Sequence, residues 1–239
     1  MTSFEVWLPM GAVALYLFDS IQWLYSNELL FLRSGRGWQV RQSWPLVVAG
    51  NRLFLPNPLA PGIALFKVRW SESDPRRQQE DPAQLERFLR ALRPVKFLVG
   101  LLLGLLLALP AVLFLYGTDV QLLALMAAFY GVILVALGYI FTQRQVLLLT
   151  GRAFAHVCFD CLACAPFAIN LVRKLSLRRT LVGNPLTLAG ECFEPAEFDR
   201  LIDVIAARVA ADLLREHELT ARHRELAEFR EQLRAMRRA

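Results

Sequence analysis

The stretch FLVGLLLGLLLALPAVLFLYGTDVQLLALMAAFYGVILVALGYIFTQ, Phe97 to Gln143, contains no Lys or Arg and a single acid, Asp119. Two apolar segments within it, Phe97 to Tyr116 and about Val120 to Phe141, each match the roughly 20 residues needed to cross a hydrocarbon core. Only Gly117, Thr118 and Asp119 separate them. The spacing predicts two membrane helices closed into a tight antiparallel hairpin. A further stretch without Lys or Arg, Met1 to Leu32, holds a candidate span from about Val6 to Tyr25. It lacks the cationic start and small-residue cleavage site of a secretory signal peptide. The expectation is therefore three spans.

Charge then sets the orientation. All 27 Lys and Arg residues fall in two blocks, 12 between Arg33 and Lys96 and 15 between Arg144 and Arg238. Cationic loops stay on the cytoplasmic side, so both blocks are predicted to be cytoplasmic, with the N-terminus outside and the C-terminus inside a bacterial cell inner membrane. The net charge of +6 is concentrated in the first block, where 12 basic residues face 5 acidic ones. Positive charge beside a bilayer favours anionic lipid headgroups, and no nucleic-acid partner is expected. The hydrophobic share of 56% is too high for an ordinary soluble domain.

The fold class expected is an α+β integral membrane protein with three transmembrane helices, a small cytoplasmic β-containing domain and a long C-terminal amphipathic helix. The chain divides into 1–32, the first transmembrane helix; 33–94, a cytoplasmic strand-rich segment with an amphipathic helix; and 95–142, the transmembrane hairpin. Next come 143–193, a cytoplasmic segment completing the sheet, and 194–239, the long helix. Gly50-Asn51 is a hairpin signal between Leu46–Ala49 and Arg52–Leu55. Ile63 to Trp70 alternates Phe66, Val68 and Trp70 with Leu65, Lys67 and Arg69, as a half-buried strand does. Gln145 to Thr150 reads as another strand. The apolar run Ala153 to Val172 raises a fourth span, but His156, Asp160, Pro166 and Asn170 interrupt it. A crossing there would also export Arg173, Lys174, Arg178 and Arg179, against the charge rule, so the run is expected to be a buried turn or a shallow interfacial segment.

Several groups could carry function. Asp19, Gln22 and Glu28 are polar residues in or beside the first span, and an intramembrane carboxylate is a functional candidate by default. No Lys or Arg within a span could pair with Asp19, so a proton path through it would need a partner subunit. Gly100, Gly104 and Ala108 form a small-residue stripe suited to close helix packing. Leu219, Leu226, Phe229, Leu233 and Met236 make a narrow apolar seam on the terminal helix, a candidate partner-binding face. Cys158, Cys161, Cys164 and Cys192 supply enough thiols for zinc or an iron–sulfur cluster. Their neighbours Phe159, Leu162, Ala163 and Phe167 instead suit apolar packing, and no cofactor is expected. Phosphate-binding loops, HExxH and GxSxG are absent. The leading expectation is a non-enzymatic accessory or assembly subunit that binds a partner protein, a second copy of itself or the lipid surface. The alternatives are a cysteine-based redox protein and an ion or proton path subunit centred on Asp19.

Overall fold

The computed structural model describes residues 3–25, 27–34, 37–41, 47–48, 51–69, 81–117, 119–179, 181, 185–214 and 221–238. The elements run α1 (Ser3–Ser20), β1 (Gln22–Leu24), β2 (Glu28–Ser34), β3 (Gly37–Arg41), β4 (Val47–Val48), β5 (Asn51–Phe54) and β6 (Ala64–Arg69). Then follow α2 (Pro82–Tyr116), α3 (Val120–Thr142), α4 (Gly151–Ala163), a 3-10 segment (Ala165–Asn170) and α5 (Leu171–Arg178). The chain closes with α6 (Pro185–Cys192), α7 (Pro195–Leu213) and α8 (Ala221–Arg238). Two compact units result: a helical one from residues 1–21, 55–64 and 82–179, and a strand-bearing one from 22–54, 65–81 and 180–239.

In the helical unit α2 and α3 pack as the hairpin that the charge-free stretch predicts. Gly117 turns the chain at φ +67, a left-handed conformation that glycine adopts without a Cβ penalty. Val95, Val99, Leu102, Leu106 and Leu109 of α2 are buried, as are Phe129, Ile133, Ala136 and Ile140 of α3. The outward faces stay apolar: Phe97, Phe114, Val120 and Leu123 are 70–75% exposed. Ala83–Tyr116 and Val120–Thr142 are long and apolar enough to cross a membrane, and only 28% and 22% of their most apolar windows are buried. Among the described residues two helices meet that standard, not three. The apolar run Val6 to Tyr25 is divided because α1 ends at Ser20 and the next residues enter a sheet as β1.

The region after α3 also departs from expectation. Residues 143–193 do not complete a sheet; their described part is α4, the 3-10 segment, α5 and α6, and the strand contact is one bridge from Leu181 to Val68. Leu148, at φ +55, turns the chain between α3 and α4. Thr150 caps α4 by accepting from the Ala153 N–H at 3.2 Å. Val157 and Cys161 fix the inner face of that helix. Gln145–Thr150, read as a strand, is instead part of the turn from α3 into α4, held by the Leu147 and Leu149 N–H groups donating to the Gln143 and Arg144 carbonyls at 2.9 and 2.8 Å, and α4 packs on the 3-10 segment.

The strand-bearing unit contains two three-stranded sheets, β1-β5-β4 and β3-β2-β6. β4 and β5 form the antiparallel hairpin signalled by Gly50-Asn51, with Val48 opposite Asn51. Phe66 and Val68 are buried and Arg69 is exposed, as the alternation predicts, but Leu65 on the opposite face is also buried, so the strand is half-buried only from Lys67 onward. Phe31, Trp38 and Phe193 meet at ring separations of 4.8–6.1 Å, and Trp38 also meets Phe66 at 5.5 Å. Glu197, in the first turn of α7, accepts from the Val40 N–H of edge strand β3 at 3.2 Å, occupying a donor that an open edge would offer to another chain. In place of one long C-terminal helix there are two, and α8 packs on α7.

Candidate functional site

Among the described residues of the helical unit, a polar cluster joins the last turn of α1 to the 3-10 segment, α5 and the 55–64 loop. α1 ends with Tyr16, Asp19 and Ser20 on adjoining faces. Asn170, Arg173 and Lys174 follow one another at steps of three and one, which places all three on one side of a helical turn. Arg173 is 2% exposed and surrounded by acceptors. Its Nη1 donates to Ser20 Oγ at 3.2 Å and Asn170 Oδ1 at 2.9 Å, while Nη2 donates to the carbonyls of Asn57 at 2.5 Å and Ala60 at 3.1 Å. A guanidinium is the side chain able to serve four such acceptors with a fixed fork of donors.

Asp19 closes the cluster from the α1 side. Its carboxylate accepts from Lys174 Nζ at 3.0 Å and from Asn170 Nδ2 at 3.0 Å. Lys174 Nζ also lies 3.5 Å from Asp160 Oδ2 on α4 and 4.7 Å from the centre of the Phe167 ring. The Tyr16 hydroxyl donates to the Pro58 carbonyl at 2.5 Å, and Ser20 Oγ donates to the Tyr16 carbonyl at 2.9 Å. Asp19 thus has a cationic partner within its own chain. The expectation that none was available is corrected, because α5 brings Lys174 alongside α1. Chemically the arrangement is a charge-neutralised clamp: two carboxylates share one lysine, and one buried arginine ties two loop carbonyls to α1 and the 3-10 segment.

The other two members of the expected intramembrane trio belong to the strand-bearing unit. Gln22 is in β1, paired with Phe54, and Glu28 begins β2. Glu28, 3% exposed, receives Lys67 at 3.2 Å, Arg69 at 3.0 Å and the Tyr25 N–H at 3.1 Å. Burial alone would raise its pKa, but the Tyr25 N–H, Arg69 and Lys67 together hold the carboxyl below its ordinary value. Its main-chain carbonyl accepts from buried Arg208 of α7. Burial pulls the Arg208 guanidinium down to about 10, still cationic at neutral pH.

The remaining candidates are scattered. Cys161 is buried and Cys158 and Cys164 are half-buried, all as free thiols; Cys192 lies on α6 in the other unit. Among the described residues no three His, Cys, Asp or Glu side chains are grouped to hold a metal ion. Gly100 and Gly104 are exposed, and a Cβ added to either would meet nothing within 4 Å. Ala108 is half-buried, so the small-residue stripe lies away from the Leu102 and Leu106 face that α2 buries. Leu226 and Leu233 are 1% and 0% exposed within the protein's own fold. Phe229 is half-buried, Leu219 lies outside the described residues, and for Met236 only its place on α8 is described. Tyr16, Ser20 and Arg173 were not among the site residues that the sequence suggests. The signal was the spacing of Asn170, Arg173 and Lys174 within an otherwise apolar run. No family model, curated protein or solved structure matches the chain.

Proposed function

We propose that the protein is a non-enzymatic inner-membrane accessory subunit, with α2 and α3 crossing the bilayer and the strand-bearing unit on the cytoplasmic side available to a partner protein. The observation that carries this reading is the apolar outer surface of the hairpin, from Phe97 and Leu101 through Phe114 to Val120, Leu123, Leu134 and Val135. Water would disfavour such a surface by roughly 25 cal/mol per Å², whereas acyl chains solvate it. Exposed Arg87, Arg90 and Arg93 on α2, Arg144 beyond α3, Arg152 and Arg178 suit a collar of anionic headgroups at the cytoplasmic end. The charged members of the polar cluster are engaged in holding α1, α5 and the loop together, which favours a structural role over chemistry.

The direction of α1 follows from two contacts. Gly62, in the loop that Arg173 ties to α1, lies against the Lys96 Cβ, 3.4 Å from where its own Cβ would be. Trp7 and Leu8, at the opposite end of α1, line a cavity with Leu105 and Leu109, more than two turns further along α2. α1 therefore runs antiparallel to α2, which supports a reading with its N-terminal end toward the outer side. Alkaline carbonate treatment of membranes tests the embedding, and release of the chain into the supernatant would sink it. Reporter fusions at Met1, the Gly117 turn and Ala239 test the sides: the first two are expected outside and the last inside. Purification in mild detergent tests the accessory role, with a stoichiometric partner expected and a solitary, monodisperse chain against it.

A further inference from the structure

We propose that α4, the 3-10 segment and α5 form a re-entrant hairpin that enters the bilayer from the cytoplasmic side, turns at Cys164–Pro166 and leaves on the same side. The inference rests on the membrane reading above and extends it to a segment too short to span. α4 has 13 residues, about 20 Å of helix, against a hydrocarbon core of about 30 Å.

Two contacts set its depth beside α3. Near the cytoplasmic end the rings of Phe141 and Phe154 are 5.4 Å apart. Further in, the Tyr130 hydroxyl donates to the Leu162 carbonyl at 3.4 Å. α4 thus runs antiparallel to α3 from Phe154 to Leu162, which carries it about 12 Å inward at 1.5 Å per residue. Its tip reaches the middle of the hairpin: Cys164 and Pro166 line the same cavity of about 380 Å³ as Leu105 of α2 and Phe129 of α3. The base is pinned shut, because Arg178, at the end of α5, donates to the Ala153 carbonyl at the start of α4 at 3.1 Å. Entry at Arg152 and exit at Arg178 put exposed cations at both feet, where headgroups lie.

The chemistry along the hairpin suits that depth. Phe159 is 72% exposed and Leu162 is 42% exposed on the helix that lies beside α3 between the Phe141–Phe154 and Tyr130–Leu162 contacts, and Leu134 and Val135 on the same stretch of α3 are 59% and 61% exposed. Acyl chains are the occupant that this shared apolar exposure at one depth selects for the face. Non-helical backbone is tolerated at membrane depth where protein buries it, and Ala165, Ala168, Ile169 and Asn170 of the 3-10 segment are buried. The acid on the hairpin, Asp160, is paired with Lys174, which is also paired with Asp19. Such pairing is what carboxylates at this level require.

The test uses the full chain in vesicles of phosphatidylcholine and phosphatidylglycerol, with the four cysteines replaced by serine or alanine. Single cysteines are introduced at Phe159, Leu134 or Arg152 and spin-labelled, and collision with oxygen is compared with collision with a water-soluble nickel chelate. Phe159→Cys is expected to match Leu134→Cys, with an oxygen-to-nickel ratio several-fold above that of Arg152→Cys. A Phe159 label as open to nickel as the Arg152 label, with Leu134 still in lipid, overturns the re-entrant hairpin and leaves the membrane reading standing. A Leu134 label open to nickel overturns both. A Phe159 label shielded from both reagents means that protein, a partner or second copy, covers the face, which overturns the acyl-chain assignment. Phe159→Trp with brominated-acyl phospholipids repeats the comparison without touching the cysteines, and absence of quenching has the same meaning.

Discussion

Asp19 and Glu28 stand nine residues apart in one apolar stretch, yet they end in different units and do different work. Asp19 closes a helical clamp through Lys174 and Asn170, and its partners come from some 150 positions away in the chain. Glu28 opens a strand and is held by neighbours on its own small sheet, Lys67 and Arg69, and by the turn at Tyr25. The difference teaches that a carboxylate in an apolar run is defined by what the fold delivers to it. Hydropathy alone places one within a span and the other just beside it; pairing assigns them to different units.

The strongest way to break the helical side of the comparison is Arg173→Leu. It strands the Asn57 and Ala60 carbonyls and removes a buried charge from its network, at an expected cost of about 3–5 kcal/mol. Thermal unfolding in detergent checks this, and an unchanged midpoint would mean that the clamp contributes nothing.

Asp19→Asn is expected to cost less, about 1–3 kcal/mol, because Asp160 still faces Lys174. Combined with Lys174→Met, the loss is expected to be smaller than the sum of the two single changes, since each removes the same ion pair. Strict additivity in that cycle would show the two groups to be uncoupled.

On the strand side, Glu28→Gln is expected to cost about 1–2 kcal/mol at neutral pH, with the exposed reach of Arg69 discounted for solvent screening. Because the folded carboxyl is held below its ordinary value, its contribution is present above the unfolded pKa and is lost as pH falls through the folded one. The wild-type chain should therefore lose stability on acidification to a greater extent than the Glu28→Gln variant. Parallel acid unfolding curves would contradict this.

The smallest effect expected is at the open stripe. Gly104→Ala meets no atom within 4 Å and removes a helix-weakening glycine, so stability should rise by up to about 1 kcal/mol. A loss of stability or of a co-purifying protein would instead reveal a helix seated there.

Much of the architecture was legible because long apolar helices and turns are local. The hairpin around Gly117, the β4–β5 turn and the alternation of β6 follow from residue type at fixed spacing. The split of the first apolar run at Ser20 was not legible, since β1 exists only through its pairing with β5. Nor was the replacement of the expected strand at Gln145–Thr150 by a turn, followed by α4 packed on the 3-10 segment. For the site, Asp19 was found as an expensive acid, while Tyr16, Ser20 and Arg173 looked ordinary. Their importance lies in contacts between segments that no spacing rule connects.

By itself the sequence determined the two helices of the hairpin, the cationic blocks beside them and the turn that joins them, because hydrophobic length and charge placement act residue by residue. It also predicted a third span, which the fold divides at Ser20. The tertiary structure decided that Lys174 neutralises Asp19, that Leu226 and Leu233 are buried within the fold, and that Gly100 and Gly104 face outward. Those outcomes depend on which distant surfaces meet, and burial and pairing energies are properties of that meeting.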